Sequence, residues 1–269
     1  MGRFFMMLWL ALAAAFPTLA LAGADGSSAA GTPRLPAAQV AAFSNEVQQD
    51  LAARGAHVAI VARMGRDPSS LPDGVRYTHV GFWVYSRITE PDGTTGLGYR
   101  VYNLYQLGDD PTRSQLIQDS PADFFAGAHR LDAGVIIPEP ELQRKLLGTI
   151  TSPTYARLHN PDYAVLANPR STQFQNCTEH TLDVLMASLY DTSDIGQIKA
   201  NISAYFQPQP IALGGLKRAM APIASGALTT EDHGSRVATT TFGSLARFME
   251  GHDLAMTVYR VTPDRVARF

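Results

Sequence analysis

Two runs of alternating apolar and polar residues, Tyr77 to Tyr85 and Gly98 to Leu107, stand on either side of Pro91-Asp92-Gly93. Alternation at period two places successive side chains on opposite faces of a strand, and a Pro-Asp-Gly run reverses the chain. The pair predicts an antiparallel hairpin. A strand-like run from His57 to Ala62 precedes it, and others follow at Gly134 to Ile137, Tyr163 to Leu166 and Leu254 to Val261. Helical spacing is seen first in Val40, Phe43, Val47 and Leu51, with Gly55 as the stop. Ser120-Pro121 opens a short second helix, with serine as cap and proline at the first helical position. Further helices are expected over Pro140 to Leu147, Cys177 to Tyr190, Ser193 to Phe206 and Ser244 to Met249. Strands and helices are segregated rather than strictly alternating. The expected fold is a single α+β domain, an antiparallel sheet packed with helices.

At 269 residues, 45% hydrophobic and 17% charged, the chain has enough apolar material to bury a core. The 22 basic and 24 acidic side chains leave a net charge of −2, with no basic excess to hold a phosphate backbone. Nucleic acid is not an expected partner. The one cysteine, Cys177, excludes an internal disulfide framework, a cysteine zinc cage and a CxxC redox pair. No phosphate loop, dinucleotide glycine fingerprint or G-x-S-x-G elbow is present, so no cofactor is expected.

Residues 1–22 read as a signal peptide. Arg3 starts it, Phe4 to Ala15 form the apolar run, and Ala20-Leu21-Ala22 supplies small residues for cleavage. Its removal takes one basic residue and no acid, leaving 21 against 24, or −3. The expected mature protein is periplasmic or secreted, with no stable membrane span after processing. Residues 23–36, rich in Gly, Ser, Ala and Pro, read as a flexible leader. Residues 37–269 form the domain, and the Pro- and Gly-rich segment 207–234 reads as a loop or lid.

Chemistry concentrates in two motifs. Gln175-Asn176-Cys177-Thr178-Glu179-His180 opens a helix whose apolar positions are Leu182, Leu185, Met186 and Leu189. Asn176 suits the N-cap, with Glu179 placed to return a capping-box bond. Cys177 then sits in the first turn, where free N–H groups and the helix dipole favour a thiolate. The competing reading is a small buried hydrophobe, a common fate of free cysteines. In the second motif, Tyr77 to Tyr85, alternation puts Val80, Phe82 and Val84 on a core face, and His79, Gly81, Trp83 and Tyr85 on the other. Gly81 leaves room over the strand beside His79, where a thiol-bearing helix or a substrate can approach.

A cysteine nucleophile needs a base, and the base needs a third group to fix its tautomer. With the hairpin centred near Pro91, Asn103 lies opposite His79 and is placed to accept its second ring N–H; Gln106 or Tyr105 are the substitutes. A metal held by Cys177, His180 and His79 is the weaker alternative, since no HExxH-like set supports it.

His79-Val80-Gly81 on a strand, followed far downstream by Asn176-Cys177-x-Glu179-His180 opening a helix, resembles circularly permuted papain-like hydrolases. These include the NlpC-type peptidases and the lecithin–retinol acyltransferase relatives, in which histidine also precedes cysteine. The resemblance implies a permuted papain-like core, with Cys177 as nucleophile, His79 as base and Asn103 as the polar third member. Thr178 is an extra residue relative to the acyltransferase Asn-Cys-Glu-His run, so no role passes to Glu179 or His180. Residues 36–269, with Arg63-Met64-Gly65 ahead of the histidine, also resemble the bacterial family called domain of unknown function 2145. The function implied is an exported cysteine-dependent hydrolase of an amide, with a cell-wall peptide as one substrate. The alternatives are an acyltransferase using the same residues and a non-catalytic envelope binding protein.

Overall fold

Every residue of β1 (Val58–Met64) is buried, so the sheet it belongs to is covered on both faces. The structure, a computed structural model, describes residues 33–269 apart from 90–91. The expected signal peptide, most of the leader and Pro91 of the turn lie outside the described residues.

The chain runs α1 (Ala37–Ala53), β1, β2 (His79–Thr89), β3 (Thr95–Gln106), β4 (Ser114–Asp119), α2 (Pro121–Ala126) and β5 (Arg130–Pro138). It continues with α3 (Pro140–Ile150), α4 (Pro153–Arg157), α5 (Cys177–Tyr190), α6 (Ile195–Tyr205), β6 (Gln209–Ile211) and α7 (Gly215–Ala224). It closes with β7 (Val237–Thr239), α8 (Phe242–Gly251), β8 (Ala255–Thr262) and β9 (Arg265–Arg268). Seven strands form one sheet in the order β4-β3-β2-β1-β5-β8-β9, with every neighbouring pair antiparallel. This is a single α+β domain. Among the described residues, no helix is long and apolar enough to cross a membrane.

Alternation along the central strands divides the core in two. Val58, Ile60, Ala62, Val80, Phe82 and Val84 pack under α3, α5, α6 and α8. Ala59, Val61, Trp83, Tyr99 and Val101 pack under α1 and α2. Both faces are therefore core, where the alternation alone suggested one. Trp83 and Tyr99 are packing residues, not an open aromatic platform.

The hairpin forms in a shifted register: Gly81, not His79, lies opposite Asn103. The turn is centred on Asp92 rather than Pro91. Gly93 takes a left-handed φ of 83°, and Asp92 Oδ1 accepts from the Thr94 backbone N–H at 2.9 Å. A shift of two residues preserves the face, so Asn103 remains on the side of His79. The strand expected at Tyr163 to Leu166 does not form. Tyr163 makes one bridge to Gln175, and the Val165 N–H goes to the Ala227 carbonyl.

Candidate active site

α5 starts at Cys177 because Asn176 caps it, accepting the Glu179 N–H on Oδ1 at 2.9 Å. The return bond of a capping box is not made. The Glu179 carboxylate turns inward and accepts from Lys199 Nζ at 2.7 Å. That ammonium also donates to both oxygens of Asp183, at 2.8 and 3.0 Å. Gln175 Nε2 donates to Asp183 as well, at 2.8 Å, tying the approach of the chain to the helix it enters. Burial works to lower the Lys199 pKa, but the charges of Glu179 and Asp183 outweigh it and hold the ammonium above its ordinary value.

Cys177 is 4% exposed, covered by Leu104, Tyr163 and Ala227. Ala227 belongs to the 3-10 turn Gly226–Leu228, which follows α7, so the segment 207–234 contributes the cover over the thiol. The β2–β3 ladder stops at Gly81 and Asn103, and the thiol lies against the β2 backbone beyond that point. Sγ makes a long 3.9 Å contact to the Thr78 carbonyl. Burial pushes the thiol pKa up. The backbone N–H groups of Val80, Thr178 and Cys177 itself, with the charge of Arg63, pull the other way.

His79 is fully buried and points to the opposite face from α5, toward α2. The thiol-bearing helix does not come down over the histidine ring; it packs on Val80, Phe82 and Val84. What meets the imidazole is Tyr105, stacked at 4.5 Å between centroids and 10° between planes, and Phe124 at 5.3 Å. Asn103 Oδ1 lies 3.0 Å from Nε2. The Asn103 amide is oriented by two acceptors: its Nδ2 donates to the Ile117 carbonyl at 3.2 Å and to Asp119 Oδ2 at 3.4 Å. Oδ1 must then face the histidine, and an amide oxygen only accepts, so Nε2 carries the proton. Nδ1 is left as a buried acceptor with no hydrogen-bond partner. Burial, and then the Arg63 charge, hold the imidazole well below its ordinary pKa, against the opposing bond to Asn103.

The structure thus joins His79 to Asn103 by a hydrogen bond. It sets Cys177 against the backbone on either side of His79, with no hydrogen bond between thiol and imidazole. Of the two substitutes, Tyr105 stacks on the ring, while Gln106 donates to the Pro111 carbonyl at 2.6 Å, away from it. Gly81 does not leave the open space expected of it for a substrate or the thiol-bearing helix, because Asn103 fills it. A Cβ there would lie 3.1 Å from Asn103 Oδ1. His180 packs on Tyr155 and lies 3.3 Å from its carbonyl through Nε2; burial first, then the charge of His159, drop its pKa to about 3. Among the described residues, no group of three or more His, Cys, Asp or Glu is placed to hold a metal ion.

Three participants were missed at the level of sequence. Arg63 is buried on β1, donates to the Phe124 carbonyl, and lies over the rings of Tyr105 and Phe124 at 5.6 and 5.5 Å. It figured in the sequence only within the Arg63-Met64-Gly65 run of the family resemblance, with no link to the histidine. Asp119 ends β4, a six-residue strand too short and polar for alternation to reveal. Lys199 follows Glu179 by twenty residues on another helix, a separation at which sequence carries no pairing signal.

A two-sided antiparallel sheet with a capped cysteine helix on one face and a histidine–asparagine pair on the other defines the class. The chain belongs to the family of uncharacterised proteins conserved in bacteria, DUF2145, whose model matches residues 50–249. No curated protein and no solved structure matches the chain.

Proposed function

We propose that this protein is an exported cysteine-dependent hydrolase that cleaves an amide, with an envelope or cell-wall peptide as substrate. The observation that carries the reading is the tautomer of His79. Nε2–H is committed to Asn103, and Nδ1 is left bare in a strand whose flanking backbone touches the Cys177 sulfur. A general base requires a free acceptor of this kind.

The pKa directions favour a neutral pair over a thiolate–imidazolium pair: the thiol is raised and the imidazole lowered. Attack is therefore of the general-base type. Nδ1 takes the thiol proton as Sγ bonds to the carbonyl carbon. The oxyanion forms at the start of α5, where free N–H groups stabilise it. The tetrahedral intermediate expels the amine, which takes the proton back from Nδ1, and water then hydrolyses the thioester. Before this, the thiol must leave the Thr78 carbonyl, the sulfur and Nδ1 must come to the same side of the β2 backbone that now lies between them, and the cover formed by Ala227 must open. An amine or alcohol in place of water gives the acyltransferase variant.

The complete cover over Cys177, with no thiol–imidazole bond, favours a second reading: a non-catalytic envelope binding protein that keeps this fold. The two part on one measurement. Mature protein is treated with an aryl ester, and acylation of Cys177 is followed by mass. Loss of a general base costs about 10²–10⁴-fold, so His79→Ala is expected to slow acylation by at least a hundredfold. Equal rates in wild type and His79→Ala would overturn the hydrolase reading in favour of the binding protein.

A further inference from the structure

We propose that Asp119 is a positioning residue for the His79 base, acting through both groups that hold the imidazole. The inference rests on the reading of His79 as base. A single carboxylate oxygen, Asp119 Oδ2, accepts from Tyr105 Oη at 2.6 Å and from Asn103 Nδ2 at 3.4 Å. Tyr105 fixes the face of the imidazole and Asn103 fixes its edge.

The two constraints differ in kind. Stacking at 10° sets the plane of the ring but leaves rotation within that plane open. The Nε2–H bond to Oδ1 removes that rotation and selects the tautomer. Tyr105 needs an anchor because its buried hydroxyl would otherwise lack an acceptor, and a carboxylate supplies a short, charge-assisted one. Asn103 needs one because an amide can present either end to histidine. Ile117 takes one of its two N–H groups and Asp119 the other, so reversing the amide would turn an oxygen toward two acceptors.

Asp119 also bears on the charge of the site. Arg63 is buried close to His79, and an uncompensated guanidinium there would disfavour the imidazolium that proton transfer creates. Asp119 lies near enough to Arg63 to interact with it, so removing its charge strengthens that opposition. Asp119 itself is only half-buried, and burial raises its pKa despite the bonds from Tyr105 and Asn103. Its carboxylate form is what the site requires.

The test compares Asp119→Asn and Asp119→Glu with wild type and His79→Ala in the same Cys177 acylation assay. Nitrogen-15 spectra of the His79 ring are recorded alongside. In wild type, Nε2 is expected protonated and Nδ1 bare. Asp119→Asn is expected to slow acylation about tenfold, the scale of one lost charge-assisted hydrogen bond, and to shift population toward the Nδ1–H tautomer. Asp119→Glu, which keeps the acceptor and its charge, is expected to recover most of the rate and the wild-type spectrum. If His79→Ala slows acylation while Asp119→Asn changes neither rate nor ring nitrogens, the proposal fails and the hydrolase reading survives. If His79→Ala has no effect, the hydrolase reading itself fails. If Asp119→Asn moves the tautomer without slowing acylation, Asp119 orders the ring but does not position the base, and the proposal is overturned.

Discussion

Two buried polar networks lie on either side of the start of α5, and they are built on opposite rules. Around Lys199, the ammonium is matched by two carboxylates, Glu179 and Asp183, and Gln175 joins as a fourth member by donating to Asp183. Around His79, hydrogen bonds converge on one ring nitrogen and leave the other bare. The first network answers its ammonium with opposite charge and fixes where α5 lies, although Glu179 Oε2 is left without a hydrogen bond. The second withholds a basic nitrogen, at the cost of leaving it without a hydrogen bond. A charge-matched, or closed, network is what structure needs, and one that leaves a basic nitrogen bare, or open, is what proton transfer needs. The difference teaches which of two equally buried clusters to regard as scaffold.

The largest effect that would break this comparison is on Lys199. Lys199→Met leaves two carboxylates buried without their cation, and loss of one member of a buried ion pair costs about 3–5 kcal/mol. The denaturant midpoint should fall accordingly, and much of the loss should return when Glu179 and Asp183 are also made leucine. His79→Gln, at the same depth but in the open network, should cost distinctly less. Equal losses in the two variants would mean that the networks do not differ as described.

A second effect follows from pH, where the buried histidines and Glu179 should oppose each other. His180, beside the first network, and His79 are both held neutral by burial, His180 with a pKa near about 3. Between that value and the unfolded pKa of about 6.5, the unfolded chain binds more protons, so stability is lost as pH falls. Each such histidine contributes up to about 1.4 kcal/mol per pH unit in that window. Glu179 runs the other way. Burial raises its pKa against the pull of Lys199, and Asp183 adds to the rise. The folded state therefore takes up a proton there sooner than the unfolded chain does, offsetting part of the acid loss. Urea midpoints measured from pH 7.5 to 4.5 should fall less steeply in His180→Asn and more steeply in Glu179→Gln. Parallel slopes in all three proteins would remove the opposition.

How much of this was legible depended on distance along the chain. The cap at Asn176, the place of Cys177 in the first turn and the shared face of His79 and Asn103 all follow from spacings of a few residues or from strand parity. Parity survives an error of two in register, which is why Asn103 was found although its cross-strand partner was misplaced. The direction of α5 was not legible. Alternation says that Val80 and His79 face apart, but not which of two apolar faces a helix a hundred residues later will cover. Asp119 and Lys199 were hidden for a related reason: their meaning comes from β4 pairing beside β3 and from α6 packing on α5.

The smallest effect is also the sharpest test of the open network, because it adds one methyl group. A Cβ at Gly81 would lie 3.1 Å from Asn103 Oδ1, 3.2 Å from the Tyr102 carbonyl and 3.3 Å from Val101 Cγ1. Backbone cannot yield there without disturbing the ladder, so the amide must move by a few tenths of an ångström. The 3.0 Å bond to Nε2 then lengthens or bends, and a hydrogen bond weakens steeply as it does. Gly81→Ala should therefore slow Cys177 acylation several-fold and move the His79 ring nitrogens, while changing stability by about 1 kcal/mol or less. Gly148→Ala is the matched control. Gly148 lies within α3 with nothing inside 4 Å of the added carbon, and a helical glycine replaced by alanine gains about 0.5–1 kcal/mol. It should raise stability and leave the ring nitrogens alone. If Gly81→Ala leaves both rate and spectrum at wild-type values, the orientation of Asn103 does not govern the histidine, and the open network is no more specialised than the closed one.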